Sequence, residues 1–295
     1  VNLTTGTEAN SLSTFTGIEA ALGSGFDDNL IGDGDANWLG GGAGDDVILG
    51  GAGDDTINGG AGDDDLDGGT GTDFVSYVTA AAGIVVNLAS GQATGAGNDT
   101  LAGFEGVIGS GFSDLLTGGA GNNVLNVGFA GQDTVFGGSG FDTVSFALRT
   151  SAVSASLASG QETTSGSSLN DVEAIVGTLF GDSLTGNGSA NFLSGLLGND
   201  AIQARGGSDT VNGGGGDDDL DGGTGFDFAS FAGAMGGVVA NLGTQSATGW
   251  GNDTLVGFEA LIGSAFDDVL TGDAADNTLN GGGGADTLTG AGGAD

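Results

Sequence analysis

From Gly41 onward the chain reads GGAGDDVIL, GGAGDDTIN, GGAGDDDLD and GGTGTDFVS. This is a nine-residue motif, G-G-x-G-x-D-x-(aliphatic)-x, repeated without a gap. Carried backwards, the same phase takes in GSGFDDNLI from Gly23 and GDGDANWLG from Gly32, so six nonapeptides fill residues 23–76. Three more blocks follow: four units in residues 109–145 with one extra residue, Val127; six in residues 177–230; and three with a partial fourth in residues 263–295. Of the 20 units, 16 carry Asp at the sixth position and four carry Asn, at Asn37, Asn123, Asn191 and Asn277, each in the second unit of its block. The eighth position is Leu, Ile or Val in every complete unit but one, which has Ala229. A lone Gly-Asp pair reads as a surface turn, whereas this many in phase read as a repeat architecture.

Each unit divides into a part that must turn and a part that must extend. The G-G-x-G-x-D half calls for positive φ, which Gly adopts without steric cost. The rest of the unit forms a short strand whose aliphatic side chain points inward. Two units close one flattened coil of loop, strand, loop and strand. Successive coils stack as parallel strands about 4.8 Å apart. The expected fold is therefore all-β, a parallel β-roll or β-solenoid with two nonapeptides per coil. Gly numbers 68 and Pro is absent, which excludes collagen.

Stacking sets the Asp of one unit beside the Asp two units later, Asp46 near Asp64 and Asp55 near Asp73. Adjacent carboxylates repel and do not both ionise comfortably. Asp and Glu together number 39 against two basic residues, Arg149 and Arg205, for a net charge of −37. Such a polyanion repels nucleic acid, whose binding rests on Lys and Arg, and its fitting partner is a cation. No Cys, His or Lys is present. Most nucleophiles, bases and soft-metal ligands are thereby removed, and with them zinc, copper and haem sites. Oxygen ligands remain: paired carboxylates and the carbonyls of tight Gly turns, about six per cage, which suits Ca²⁺ better than Mg²⁺. The expected ligands are Asp28, Asp46, Asp55, Asp64, Asp73, Asp114, Asp133, Asp142, Asp182, Asp200, Asp209, Asp218, Asp227, Asp268, Asp286 and Asp295. One aliphatic residue in nine is a thin core, so the chain is expected to be largely unfolded without Ca²⁺ and rigid at millimolar Ca²⁺. No apolar run approaches the length of a membrane-spanning helix, so no membrane insertion is expected.

These units resemble the RTX, or haemolysin-type, calcium-binding repeats of Gram-negative secreted proteins. The family nonapeptide is GGxGxDxUx, and GGAGDDTIN at residues 50–58 matches every defined position. The run NDTLAGFEGVIGSGFSDLLTG at residues 98–118 is similar to sequence that accompanies such repeats. The resemblance implies a parallel β-roll with Ca²⁺ between coils, export unfolded by a type I secretion system, and folding outside the cell. Three kinds of departure weaken individual loops. Asn at the sixth position removes a charge, Arg205 places a cation in the loop before Asp209, and Leu196 and Leu197 replace small residues before Asp200.

A second, 154-residue period overlies the first: Asp73-Phe74 recurs as Asp227-Phe228, Asn98-Asp99 as Asn252-Asp253 and Phe104-Glu105 as Phe258-Glu259. The expected organisation is a first super-repeat at 1–154 and a second, truncated one at 155–295. Spacers at residues 77–108, 146–176 and 231–262 separate the blocks. They are expected to continue the solenoid as irregular coils; small side lobes are the alternative. Asp99 and Glu105 add a calcium site or are solvated turn acids, and the sequence does not choose between them. Trp38 and Trp250 are expected to pack. Both termini fall inside repeats, as in a segment of a longer polypeptide.

Two functions from different classes follow. One is a non-catalytic, calcium-rigidified structural region of a secreted or cell-surface protein, such as an adhesin stalk, filament or surface layer, with other copies of the chain as candidate partners end to end or in a lattice. The other is the calcium-folded secretion module of an exported protease, lipase or polysaccharide enzyme. Glycan hydrolysis by paired acids needs one tuned acid and base, and acids repeated in every unit fit metal cages better.

Overall fold

The computed structural model describes residues 1–7 and 17–295, and every ordered element among them is a strand. The described residues form two compact units, Val1–Val144 with Asn170–Val172, and Ser145–Leu169 with Glu173–Asp295. No helix among them is long and apolar enough to cross a membrane.

In the first unit, successive strands alternate between two sheets. One sheet takes Ala20–Leu22, Trp38–Ala43, Thr56–Ala61, Phe74–Ser76, Gly106–Ile108 and Val124–Asn126, each parallel to the next. The other takes Asn29–Ile31, Val47–Ala52 and Asp65–Thr70, also parallel. The pairings Leu39↔Ile57 and Ile48↔Leu66 each step by two nonapeptides. The repeat period is thus the strand register: two units per coil, as in a parallel β-roll. The second unit repeats the scheme, with Leu193↔Val211 and Ile202↔Leu220.

This register aligns the eighth-position side chains. Leu39, Ile48, Ile57, Val75, Leu116 and Leu125 in the first unit are buried, as are Leu184, Leu193, Ile202 and Val211 in the second. Fully burying an aliphatic side chain contributes about 1.5–3 kcal/mol, so each coil gains only two such increments. Val127 lengthens one coil by a single position, visible as the pairing Leu116↔Val135, and its side chain is buried.

The spacer at 77–108 lies in the sheets rather than beside them. Val85–Asn87, Gln92–Thr94 and Asn98–Ala102 form an antiparallel meander, and its last strand runs parallel to Asp65–Thr70. Val85–Asn87 then pairs with Leu115–Thr117, so three spacer strands sit in one sheet where the opposite sheet adds only Gly106–Ile108. The chain overshoots by two strand positions after Ser76 and must reverse to return. Gly91 (φ +65°) allows the first reversal. Residues 231–262 repeat the meander with Val239–Asn241, Ser246–Thr248 and Asn252–Val256. The buried aromatic rings among the described residues, Tyr77, Phe104, Phe146, Phe231 and Phe258, all come from spacers. Trp250 lies over Gly215, whereas Trp38 is 45% exposed.

Loop stacking sets the need for Gly. Gly60 has φ +106°, and a Cβ built there would collide with the carbonyl oxygen of Gly42 in the preceding coil. Both strains act together in Gly60→Ala. Such strain costs on the order of 1–3 kcal/mol. Denaturant unfolding of the calcium-saturated chain is expected to show that loss; an unchanged midpoint would contradict the stacking described.

Candidate metal centres

The sixth-position side chains form ladders. The backbone N–H of each donates to a carboxylate oxygen one coil on: Asp46 to Asp64 Oδ1 at 2.9 Å, Asp55 to Asp73 Oδ1 at 2.8 Å, Asp200 to Asp218 Oδ1 at 2.9 Å and Asp209 to Asp227 Oδ1 at 2.8 Å. The same bond continues through the lengthened coil, from Asp114 N–H to Asp133 Oδ1 at 2.9 Å and from Asn123 N–H to Asp142 Oδ1 at 2.8 Å. It is also present at Asp268 to Asp286 (3.0 Å) and Asn277 to Asp295 (2.9 Å). One oxygen of each carboxylate is thereby fixed against the coil below.

The other oxygen divides the sixteen predicted aspartates. In the first unit of each block it is taken by protein donors. Asp28 Oδ2 accepts from the N–H and hydroxyl of Ser24 at 2.6 and 2.8 Å. Asp114 accepts from the N–H and hydroxyl of Ser110 at 2.8 and 2.6 Å. Asp182 is held in the same way by Thr178, and Asp268 by Ser264. In the second unit the Asn replaces the Asp in the same closed loop: Asn123 Oδ1 accepts from Gly119 N–H at 2.7 Å, and its amide donates to the carbonyl of Glu105 at 3.1 Å. Asn37, Asn191 and Asn277 likewise accept from the N–H at position two.

In the two six-unit blocks, from the third unit onward, the second residue has positive φ: Gly42, Gly51, Gly60 and Gly69 in one and Leu196, Arg205, Gly214 and Gly223 in the other. No hydrogen bond then reaches the second oxygen. The Oδ2 atoms of Asp46, Asp55, Asp64, Asp73, Asp200, Asp209, Asp218 and Asp227 are buried without a partner. A Cβ at Gly41 would collide with both Asp46 Oδ2 and the carbonyl oxygen of Gly59; at Gly50 it would meet Asp55 Oδ2 and the carbonyl oxygen of Gly68. Carboxylate and carbonyl oxygens therefore face one small space in each coil. An isolated buried carboxylate oxygen is too costly to leave unmatched, and a hard cation that takes oxygen ligands matches this donor set. Among the described residues no three acidic, His or Cys side chains converge, so any such centre rests on paired carboxylates and backbone carbonyls.

The unusual loops keep this geometry. Leu196 (φ +76°) and Arg205 (φ +79°) occupy position two with positive φ. Their carbonyls lie under Gly214 and Gly223 just as that of Gly42 lies under Gly60. The Arg205 side chain is exposed. The substitutions are absorbed as backbone strain.

The spacers add acids that the sixteen did not include. Asp99 and Asp253 are buried, and their Oδ1 atoms accept from the N–H groups of Asp64 and Asp218 at 3.2 and 3.1 Å. Tyr77 donates its hydroxyl to Asp99 Oδ2 at 2.8 Å, while the matching position of the second copy is Phe231. Asp99 is thus no solvated turn acid. The long sequence recurrence was its signal, but the register step that brings it above Asp64 was not visible in the nonapeptide period.

Burial, reinforced by neighbouring carboxylates, pushes Asp64 and Asp227 up to about 6 and Asp200 up to about 7. Asp253 reaches about 6 for the same reasons. Burial also raises Asp46, Asp55, Asp73, Asp209 and Asp218 above the ordinary carboxylate range. A carboxylate raised in the folded state stabilises the fold below its unfolded value of ~3.9. That contribution is lost as pH rises through the folded value. The calcium-free chain is therefore expected to gain strand structure as pH falls from 8 towards 5, and calcium affinity to weaken below pH 6 as protons compete. Circular dichroism and calorimetry across this range test both; no pH dependence in either would contradict the burial.

A family model described as RTX calcium-binding nonapeptide repeat (4 copies) matches residues 14–48, 22–56, 40–75, 108–144, 169–202, 176–210, 194–229 and 262–295, more than half of the chain. No curated protein matches it.

Proposed function

The chain belongs to the RTX calcium-binding nonapeptide repeat family, and from that premise we propose that it is a calcium-rigidified structural region of an extracellular protein, of the adhesin-stalk, filament or surface-layer kind. Its repeats bind several calcium ions. The carrying observation is the tandem column of buried, unpartnered carboxylate oxygens at Asp46, Asp55, Asp64 and Asp73, repeated at Asp200, Asp209, Asp218 and Asp227. These acids hold the ions, and Asp133, Asp142, Asp286 and Asp295 occupy the equivalent ladder position in the two shorter blocks. Asp28, Asp114, Asp182 and Asp268 close their own loops through Ser or Thr.

The bound ion supplies the positive charge that the column lacks. The chain's own groups do the rest: Oδ1 fixes each coil to the one below, Oδ2 and the turn carbonyls face the ion, and the aliphatic ladder excludes water. Every part of this arrangement holds coils together, and nothing in it calls for a tuned acid–base pair, which supports a non-catalytic role. A site that needs an ion to neutralise it folds where calcium is abundant, and extracellular modules work at about 10⁻⁴–10⁻³ M. Secretion unfolded, with folding outside the cell, fits that requirement. The long duplication supports an extended region, and the same parallel register would accept further coils from this polypeptide or another copy.

Calcium titration followed by far-ultraviolet circular dichroism is expected to show a mostly unfolded chain in chelator and a cooperative gain of strand signal towards millimolar Ca²⁺. Full strand signal persisting in excess chelator would contradict the reading.

A further inference from the structure

Within a six-unit block every orphaned Asp but the last two has another nonapeptide above it. The coil above Asp73 belongs to the spacer at 77–108, and the coil above Asp227 to the spacer at 231–262. We infer that each of these spacers supplies a carboxylate that completes a further divalent-cation site, Glu105 opposite Asp73 and Glu259 opposite Asp227. The inference rests on the calcium-binding reading above and extends it beyond the nonapeptides, since the family matches over these two blocks end at residues 75 and 229.

Three features of the regular centre recur there. The first is the ladder bond: Asp73 N–H donates to Glu105 Oε2 at 3.0 Å and Asp227 N–H to Glu259 Oε2 at 2.9 Å, as Asp55 N–H does to Asp73 Oδ1. The second is the carbonyl. A Cβ at Gly68 would collide with the carbonyl oxygen of Gly103, and one at Gly222 with that of Gly257, as one at Gly50 would with that of Gly68. The third is the orphan. Asp73 and Asp227 are each 0% exposed, and the Oδ2 of each has no partner. The spacer coil therefore brings a carboxylate to the backbone, and a carbonyl to the loop, of an Asp whose buried second oxygen nothing in the protein satisfies. A Cβ at Gly68 or Gly222 would meet the Cβ of that Asp rather than its Oδ2.

The residue type fits the path. Gly106–Ile108 sits in register on Phe74–Ser76, which sets Glu105 over Asp73. The N–H groups of both Glu105 and Gly106 turn onto the Asp73 carbonyl, at 3.0 and 2.9 Å. Glu259 and Ala260 do the same on Asp227, at 3.1 and 3.0 Å. The arrangement is thus built twice, at equivalent positions of the sequence duplication. Its all-oxygen donors favour Ca²⁺, and an ion there would tie the irregular coil to the block by charge as well as by strand pairing.

Crystals of the full chain grown with Ca²⁺ test this by anomalous diffraction. Ions are expected between Asp73 and Glu105 and between Asp227 and Glu259, in addition to those between Asp55 and Asp73. Ions inside the blocks but none at the two Glu positions would overturn the inference alone; no ions anywhere would overturn the calcium reading itself. The double variant Glu105→Gln/Glu259→Gln keeps an acceptor for the Asp73 and Asp227 N–H groups. Native mass spectrometry at saturating Ca²⁺ is expected to count two fewer ions than in the parent chain, with unchanged circular dichroism. An unchanged count would also overturn the inference, and the diffraction result decides by itself if the variant does not fold.

Discussion

Burial of a column of carboxylates, reinforced by their mutual repulsion, governs this structure. Strand pairing, two nonapeptides to a coil within each block, places Asp46, Asp64 and Asp99 in one column and Asp55, Asp73 and Glu105 in another. Low-dielectric surroundings penalise the charged form, and each neighbour adds to the penalty. The chain has only Arg149 and Arg205 to set against 39 acids. Nor does the apolar core offset the cost, since each coil buries two aliphatic side chains. On the proposed reading, that charge comes from outside, as protons at low pH or as Ca²⁺ at neutral pH, and fold and ion binding are one equilibrium.

The column is also bounded. At the start of each block, Ser24, Ser110, Thr178 and Ser264 satisfy the second oxygen of the first Asp, and Asn makes the next loop self-sufficient. At the far end of the two six-unit blocks, Asp99 and Glu105, or Asp253 and Glu259, occupy the ladder position. One turn of backbone separates the two regimes. Where the second residue is Ser24, Ser110, Thr178 or Ser264, its N–H faces the carboxylate; where it is Gly42, Gly51, Gly60 or Gly69, with positive φ, the oxygen is orphaned.

Much of this was legible in sequence, and the parts that were not have physical reasons. The period of nine set the register, because an aliphatic every ninth residue buries only if two units make a coil. Leu39, Ile57 and Val75 stack accordingly. The motif alone does not distinguish Asp28 from Asp46, since the difference lies in Ser24 against Gly42 at position two and in the sign of φ there. Leu196 and Arg205 looked disruptive because side chains at positive φ are costly, yet the stacked coils hold both backbones in place. The spacers defeated a simple count of coils. Their length is near that of two coils, but the chain spends it on three strands in one sheet and one in the other. Asp99 and Glu105 therefore enter the ladder above Asp64 and Asp73 at steps that are no multiple of the repeat.

The central claim is that orphaned carboxylates, not the Asp of the motif as such, hold the ions. Comparing Asp55→Asn with Asp114→Asn by calcium titration calorimetry tests it most directly. Asp55 carries the orphaned oxygen, whereas both oxygens of Asp114 already accept from the protein. The account predicts that Asp55→Asn lowers the number or affinity of bound ions and that Asp114→Asn leaves both near the parent values. Equal losses from the two substitutions would contradict it.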